Sequence, residues 1–324
     1  MDKMKFRTEI TVTPWSEKIG YNDKIVCLGS CFASNIARKL RESKFQVTDN
    51  PTGILFNPAS IARSVEIMSK QSVVTESDIF EQNGRYVSYL FHSSVSGATP
   101  KEALDAMNNA VELGGRALQE ATLIVITLGS AYVWRDSRGE VVANCHKMAA
   151  KNFSNELLSV EQVTNSLREI INLTKAKILF TVSPVRHLNE GLEGNTLSKA
   201  ILRIAINNII NQYPERASYF PAYEIVIDDL RDYRFYADDM LHPSTQAVEY
   251  IAEKFFDAAL CDEAKRTQNK VFNIVQARAH RPLNPNSEAY RNFCKAQLRA
   301  IEELDSIDFS EEKSYFEQML QINL

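Results

Sequence analysis

The segment Lys24–Leu28 reads KIVCL, stops at Gly29, and passes at once into a stretch where Phe32, Ile36 and Leu40 recur opposite Arg38, Lys39 and Arg41. A short β-branched apolar run fits a strand buried on both faces. Apolar residues repeating at helical spacing, with basic residues across from them, fit a helix carrying one core-facing stripe. A strand that turns through glycine directly into a helix therefore predicts a layered α/β core, closed by further strands and crossover helices.

The same grammar recurs along the chain. Phe45–Thr48 reads as a short strand before a loop containing Pro51, Gly53 and Pro58, Ala59–Ser69 and Lys101–Gln119 read as helices, and Thr122–Leu128, TLIVITL, is the clearest buried strand. Beyond it, Glu161–Leu173 and Asn195–Gln212 read as helices, Lys177–Val182 as a strand, Tyr223–Ile227, YEIVI, as the last strand, and Thr245–Phe256 as a helix. Alternation of this kind predicts a parallel sheet with helices on both faces and a ligand at the carboxyl ends of its strands. Residues 132–154, with Trp134 and the turn Arg135-Asp136-Ser137-Arg138-Gly139, depart from the pattern as a hairpin-like insertion. From Asp262 the sequence is charged and helical, is interrupted at Pro282–Pro285, and ends in an amphipathic stretch through Phe293, Leu298, Ile301 and Leu304. We expect a main domain over 1–261 and a C-terminal helical extension over 262–324.

Composition excludes several functions. With 324 residues, 44% hydrophobic and 24% charged, the chain can bury a sizeable core without metals or disulfides. Lys plus Arg total 37 against 41 for Asp plus Glu, without a basic run, so there is no electrostatic footprint for nucleic acid. The stretch MDKMKFRTEITVTPW lacks an apolar h-region and a cleavage site, and no segment approaches the ~18 apolar residues of a membrane span. The expectation is a cytoplasmic protein that does not insert into membranes. Cys27, Cys31, Cys145, Cys261 and Cys294 are irregularly spaced and do not spell a disulfide framework. Neither Cys27 with Cys31 nor Cys145 with His146 has a second ligand pair at zinc spacing, so no metal and no dissociable cofactor are expected.

Two segments carry candidate chemistry. Gly29-Ser30-Cys31 lies between a buried strand and a helix, where glycine allows a tight turn and the helix start presents unpaired N–H groups and a positive dipole end. A thiol there is expected to have a lowered pKa, and Ser30 is the alternative nucleophile if a base lies in reach. The structural alternative is a Gly-Ser helix cap with Cys31 packed as a small hydrophobe. The second segment is Asp239-Met240-Leu241-His242-Pro243, in which a carboxylate three residues before a histidine can fix its tautomer and stabilise the imidazolium. Its alternative is a His-Pro-Ser turn capping the following helix. A nucleophile turn after the first strand and an Asp-x-x-His after the last would meet at one sheet edge.

Gly29-Ser30-Cys31-Phe32-Ala33 spells the motif of the GSCFA family, and the chain to about Phe256 resembles that family in order. The matching segments are Asn57-Pro58, Phe91-His92-Ser93, Thr127-Leu128-Gly129, Ala143-Asn144-Cys145-His146-Lys147, Ser183-Pro184-Val185-Arg186-His187 and Asp232-Tyr233-Arg234-Phe235-Tyr236. The family is grouped with the SGNH/GDSL hydrolases, so the resemblance implies a flavodoxin-like three-layer α/β/α sandwich and ester chemistry. Aligned without a gap, the first block of those hydrolases puts Cys31 in the nucleophile position and Ser30 in that of the block's Asp. The last block maps onto Asp239 and His242. The second block's glycine, whose N–H serves an oxyanion hole, maps onto Gly53. The third block, Gly-x-Asn, lands on Gly129-Ser130-Ala131, where Ala131 has no amide to donate; Asn57, Asn144 and His146 are candidate substitutes. Arg186 and His187 stand where a cleft could use them to hold an anionic or hydroxyl group, as does His92, and each is equally a candidate structural residue.

The mechanism these readings imply is nucleophilic acyl transfer. His242, oriented by Asp239, deprotonates Cys31 or Ser30, which attacks an ester carbonyl while Gly53 and the turn's own N–H groups hold the oxyanion. Release by water makes an esterase acting on a small-molecule or glycan ester; release to a hydroxylated acceptor makes an acyltransferase. A binding module that kept the fold without the catalysis is the third reading.

Overall fold

The computed structural model describes residues 7–15 and 17–322. Its larger unit comprises the described residues up to Thr13 together with Lys24–Arg38 and Val47–Phe255. In chain order the elements are β1 (Lys24–Gly29), α1 (Cys31–Glu42), β2 (Gln46–Asp49), α2 (Pro58–Ser69), β3 (Phe80–Gln82), β4 (Arg85–Val87), α3 (Pro100–Glu120) and β5 (Leu123–Leu128). They continue with β6 (Tyr132–Arg135), β7 (Val141–Val142), β8 (Ser154–Leu157), α4 (Val160–Leu173), β9 (Lys177–Val182), α5 (Gly191–Gln212) and β10 (Ala217–Tyr219). After a short α6 (Ala222–Glu224), which runs on as a π-turn over Ile225–Leu230, comes α7 (Thr245–Ala259).

The main sheet has the order β10-β9-β5-β1-β2, with parallel pairing of β1 to β5, β5 to β9 and β9 to β10. This is the doubly wound 2-1-3-4-5 order, in which a ligand crevice opens at the carboxyl ends of the strands where the winding reverses, beside β1. Register sets the site: Gly29 pairs with Thr127, and Leu128 with Val182, so the loops leaving β1, β5 and β9 emerge together. One set of strand residues, Val26, Leu28, Ile124, Ile126, Phe180 and Val182, joins Ile61, Val65 and Met68 of α2, Val163, Leu167 and Ile170 of α4, and Leu202 and Ile206 of α5 in a single core. The alternating set, Ile25, Cys27, Val125 and Leu179, is also buried. Covering both faces explains why these strands read as continuous apolar runs. Helix starts follow local rules: Thr99 and Ser159 accept backbone N–H bonds at the N-caps of α3 and α4, the latter in a capping box with Gln162.

One element differs from the sequence reading. YEIVI is not a strand; Tyr223–Ile227 lies in α6 and the π-turn, and the edge strand is the preceding Ala217–Tyr219, paired with Ile178–Phe180. Five apolar residues cannot by themselves distinguish a buried strand from buried helical turns. Here Pro221 forms the N-cap, and Ile225, Val226 and Leu230 bury one side of the turns. The departure at 132–154 is a small antiparallel sheet: Trp134 pairs with Val142 as a hairpin, and β8 adds a third strand through Tyr132–Arg135.

The second unit comprises Pro14–Asp23, Lys39–Gln46 and the chain from Phe256 onward. Three helices, α8 (Asp262–Ala279), α9 (Glu288–Glu302) and α10 (Ser310–Ile322), gather Val271, Ile274, Tyr290, Cys294, Ile301, Phe309 and Phe316 into a core. α10 begins beyond the amphipathic stretch recognised in the sequence. Lys44 and the buried Glu312 form an ion pair at 2.7 Å within this unit. Among the described residues no helix is long and apolar enough to cross a membrane.

Candidate active site

The turn after β1 is fixed by backbone geometry. Gly29 has φ +125°, and a Cβ added there would lie 2.1 Å from the Thr127 carbonyl oxygen, so only glycine lets the strand end pass this close to β5. Its N–H donates to Asn50 Oδ1 at 2.8 Å and its carbonyl accepts from the Leu55 N–H at 3.0 Å. Ser30 is buried; its N–H donates to the Thr127 carbonyl at 3.0 Å, and its Oγ accepts from the Phe32 N–H at 3.3 Å. The serine is therefore engaged in starting α1, whereas Cys31, the first helical residue, projects its sulfur outward to the loop after α6.

That loop brings a histidine to the sulfur. Cys31 Sγ is 3.5 Å from His242 Nε2, and His242 Nδ1 is 2.6 Å from Asp239 Oδ2. A carboxylate only accepts, so Nδ1 carries the hydrogen and the Nε2 lone pair faces the thiol. Asp239 Oδ1 accepts from the N–H groups of Leu241 and His242, each at 2.9 Å. These backbone donors, His242's first, together with the imidazole hold the Asp239 carboxyl down to about 2. The side chains of His242 and Asp239 are 45% and 47% exposed, so the pair opens to solvent.

The thiol corrects an expectation. Burial pushes Cys31 above the ordinary thiol value, outweighing the N–H groups of Cys31 and Phe32 and the charge of Lys199, which act the other way. Desolvation thus wins over the helix start. The thiol form of Cys31 is thereby favoured, with His242 Nε2 3.5 Å from its sulfur.

A family model described as the GSCFA family matches residues 24–255, and a second, described as GSCFA domain protein, C-terminal domain, matches residues 271–322. The chain belongs to the GSCFA family. No curated protein matches it. In structural terms the GSCFA pentapeptide is the end of β1 and the start of α1, and each of its residues has a separate part. The glycine clears β5, the serine caps, the cysteine meets His242, and Phe32 and Ala33 are buried in the core.

Other residues singled out in the GSCFA sequence fall into two groups. Near the turn, the N–H groups of Gly129 and Ser130 both donate to the Phe56 carbonyl, at 2.7 and 3.0 Å, and Asn57 caps α2 by accepting from the Ser60 N–H at 2.8 Å. Gly53 is not a free donor: at φ +84° it closes a turn by donating its N–H to the Asn50 carbonyl at 2.8 Å. This bond occupies the N–H that the resemblance to the SGNH/GDSL hydrolases assigns to an oxyanion hole. Ala131, standing where the SGNH pattern has Asn, is buried and its N–H donates to Ser198 Oγ at 2.8 Å. Arg186 donates its N–H to the Leu241 carbonyl at 3.1 Å and places its guanidinium 4.0 Å from the Tyr236 ring centre, so it braces the His242 turn.

The remaining histidines bond elsewhere. His146 has Nε2 at 2.7 Å from the Ser88 carbonyl and Nδ1 at 2.9 Å from Ser93 Oγ, and burial lowers its pKa. Asn144 Oδ1 accepts from the His146 N–H at 2.7 Å in the same turn. His187 has Nδ1 at 3.2 Å from Glu190 Oε2, with the Tyr132 ring edge-on, and burial lowers its pKa too. His92 bonds Ser94 Oγ at 2.9 Å and packs against Gly53. Among the described residues no three His, Cys, Asp or Glu side chains are gathered as a metal would need.

Two residues escaped the sequence reading. Asn50, besides accepting from Gly29, donates Nδ2 to Ser34 Oγ and Asp49 Oδ1, each at 3.1 Å, and so ties the GSCFA turn to α1 and β2. Lys199, 2% exposed, donates to the carbonyls of Gly129, Ser183 and Val185 beneath the site. Periodicity points to it, since Asn195, Lys199, Leu202 and Ile206 share one face of α5, but its residue type argues for solvent.

Proposed function

We propose that this GSCFA protein is an acyl esterase working through a thioester on Cys31. The observation that carries the reading is the aligned set Cys31 Sγ to His242 Nε2 at 3.5 Å and His242 Nδ1 to Asp239 Oδ2 at 2.6 Å. The ester as substrate class rests on the resemblance of the GSCFA turn and the Asp-x-x-His segment to SGNH/GDSL hydrolases. Burial of Ser30 and its acceptance of the Phe32 N–H at the helix start support Cys31 over Ser30 as the nucleophile.

In the first half-reaction the Cys31 S–H proton passes to Nε2 as sulfur bonds the ester carbonyl carbon. The N–H of Cys31 at the head of α1 is the donor on hand for the oxyanion. Collapse breaks the carbon–oxygen bond, and the imidazolium returns its proton to the departing alcohol oxygen. Water then attacks the thioester carbonyl, giving its proton to His242; the carbon–sulfur bond breaks, the acid leaves, and sulfur recovers the proton. The solvent exposure of the His242–Asp239 pair favours water as the acceptor over transfer to a sequestered alcohol.

The test is hydrolysis of p-nitrophenyl acetate and a short-chain thioester by wild type, Cys31→Ala, Ser30→Ala and His242→Ala, with intact-mass detection of an acyl adduct. The reading expects turnover and an adduct that vanish with Cys31→Ala and persist in a folded Ser30→Ala. Absence of both turnover and adduct in the wild type, or turnover unchanged in Cys31→Ala, overturns it.

A further inference from the structure

Two segments of the GSCFA pattern, Ser183–His187 and Asp232–Tyr236, take no step in the proposed reaction. The fold brings them together. Arg186, in the loop after β9, places its guanidinium carbon 4.0 Å from the centre of the Tyr236 ring and 5.2 Å from that of the Tyr233 ring. An aromatic face attracts a cation without neutralising it, and leaves the in-plane N–H donors of a guanidinium to other partners.

Four arginines lie over aromatic rings among the described residues, and Arg186 differs from the other three. Arg7 over Tyr250 pairs with Asp229 at 3.6 Å, Arg203 over Tyr219 with Glu224 at 3.5 Å, and Arg234 over Phe235 with Asp232 at 3.0 Å. Arg186 has no carboxylate partner among the described residues. A guanidinium carries five N–H donors, and here one of them is engaged, by the Met240 carbonyl at the long distance of 3.5 Å. The side chain is nonetheless half-buried. A partly desolvated cation with an unspent fork of donors is the arrangement that a planar or tetrahedral anion completes through paired bonds.

Placement ties this cation to the reacting groups. The Arg186 N–H donates to the Leu241 carbonyl at 3.1 Å, and Leu241 and Met240 are the two residues before His242, whose Nε2 is 3.5 Å from Cys31 Sγ. Two nearby carboxylates are already committed: Asp239 to the N–H groups of Leu241 and His242 and to the imidazole, Asp232 to Arg234.

We infer that Arg186 sets the substrate class: its guanidinium receives an anionic group, a carboxylate or a phosphate, carried by the ester that Cys31 attacks. The inference rests on the proposed ester chemistry at Cys31. The backbone of Arg186 braces the His242 turn while its side chain selects the substrate, so substitution removes the second role and keeps the N–H bond of the first.

The experiment measures kcat/KM for the full chain in wild type, Arg186→Met and Arg186→Lys, with ester pairs that differ by one anionic group. These are p-nitrophenyl hydrogen succinate against p-nitrophenyl butyrate, 4-acetoxybenzoate against phenyl acetate, and 4-acetoxyphenyl phosphate against phenyl acetate. A loss common to both members of a pair, such as a loosened His242 turn, cancels in their ratio. In Arg186→Met the anionic preference of at least one pair is expected to fall about tenfold or more, chiefly through KM, with Arg186→Lys in between. Which pair responds tells a carboxylate on the acyl side from one on the alcohol side, and either from a phosphate. Ratios unchanged in every pair, in variants that melt cooperatively, overturn the inference. Should the wild type hydrolyse none of these esters, the ester reading fails on its own, and binding decides the role of Arg186. Monomethyl succinate and methyl phosphate are then titrated into Cys31→Ala, following the Arg186 Nε–H resonance by nitrogen-15 NMR; the same titration serves if the Arg186 variants do not fold. A saturable shift with either probe supports the inference, and no shift with both overturns it.

Discussion

The two sides of the candidate site are held by different kinds of bond. The turn that carries Cys31 is enclosed: Ser30 is 1% exposed, and Gly29 and Ser30 bond to Thr127, Asn50 and Leu55, distant in sequence and contributed by β5 and by the loop after β2. The turn that carries His242 is open, and most of its bonds are local, from Asp239 to the N–H groups of Leu241 and His242 and from the Ala237 N–H to the His242 carbonyl at 2.8 Å. The sulfur therefore inherits its place from sheet register and can be displaced only by disturbing the fold. The imidazole is placed by a handful of short-range bonds and can be changed while the fold stands. Chemistry follows the same division, for burial favours the Cys31 thiol while the N–H groups of His242 and Leu241 favour the Asp239 carboxylate.

The largest effect should come from the open side with no structural damage. In Asp239→Asn the amide can present its N–H to Nδ1, which favours the tautomer with hydrogen on Nε2 and turns the base away from the thiol. We expect kcat/KM for ester hydrolysis to fall about 10²- to 10⁴-fold. The urea midpoint at neutral pH should stay close to that of wild type, since the side chain is exposed. Steady-state kinetics beside urea unfolding checks both; a large stability loss would dissolve the contrast between the two turns. The enclosed side should behave oppositely. Gly29→Ala sets a Cβ against the Thr127 carbonyl and imposes φ +125° on a residue that resists it, so about 3 kcal/mol or more of stability should go, seen as a lower urea midpoint. An unmoved midpoint would mean that the turn is not sheet-determined.

A smaller loss sharpens the same point. Asn50→Ala leaves the Gly29 N–H without its 2.8 Å acceptor, and should destabilise by about 1–3 kcal/mol. Asn50→Asp keeps an oxygen for Gly29 but loses the donor to Ser34 and adds charge beside Asp49, and should fall between wild type and alanine in the same unfolding assay. Reversal of that order would transfer the turn's stability from the Gly29 bond to the Ser34 bond.

Asn50 also marks the limit of what the sequence displays. β1, β5 and β9 were legible because burial on both faces makes a strand a continuous apolar run, whereas the approach of His242 to Cys31 was expected from a last strand at YEIVI and is made instead by the loop after α6 and its π-turn. Asn50 follows no period, since a loop side chain that bonds Gly29 and Ser34, both far from it in sequence, leaves no trace in its neighbours. β10 was missed because Ala217-Ser218-Tyr219 is only three residues long, and YEIVI took its place because apolar content says nothing of strand against helix at that length. Lys199 sat in a legible stripe but carried a residue type that pattern reading assigns to water. Gly53 was placed by resemblance alone, and no pattern in the sequence could show that its N–H is taken by the Asn50 carbonyl.

The smallest effect expected is a pH dependence confined to the open side. Asp239 has a folded-state pKa held down to about 2 by the backbone N–H groups of His242 and Leu241 and by the imidazole. In the unfolded chain it returns to about 3.9. A depressed acid contributes stability that is fully present above the unfolded value and is lost as pH falls through the folded one, because the unfolded state takes up the proton first. The melting temperature of wild type minus that of Asp239→Asn should therefore be constant above about pH 5 and shrink steadily from about pH 4.5 toward about pH 3. Gly29→Ala, whose defect is steric, should show a difference from wild type without this slope. Parallel curves for wild type and Asp239→Asn over that range would show that the bonds around Asp239 do not outlast folding, and the local origin of the His242 turn would have to be sought instead in the Arg186 brace.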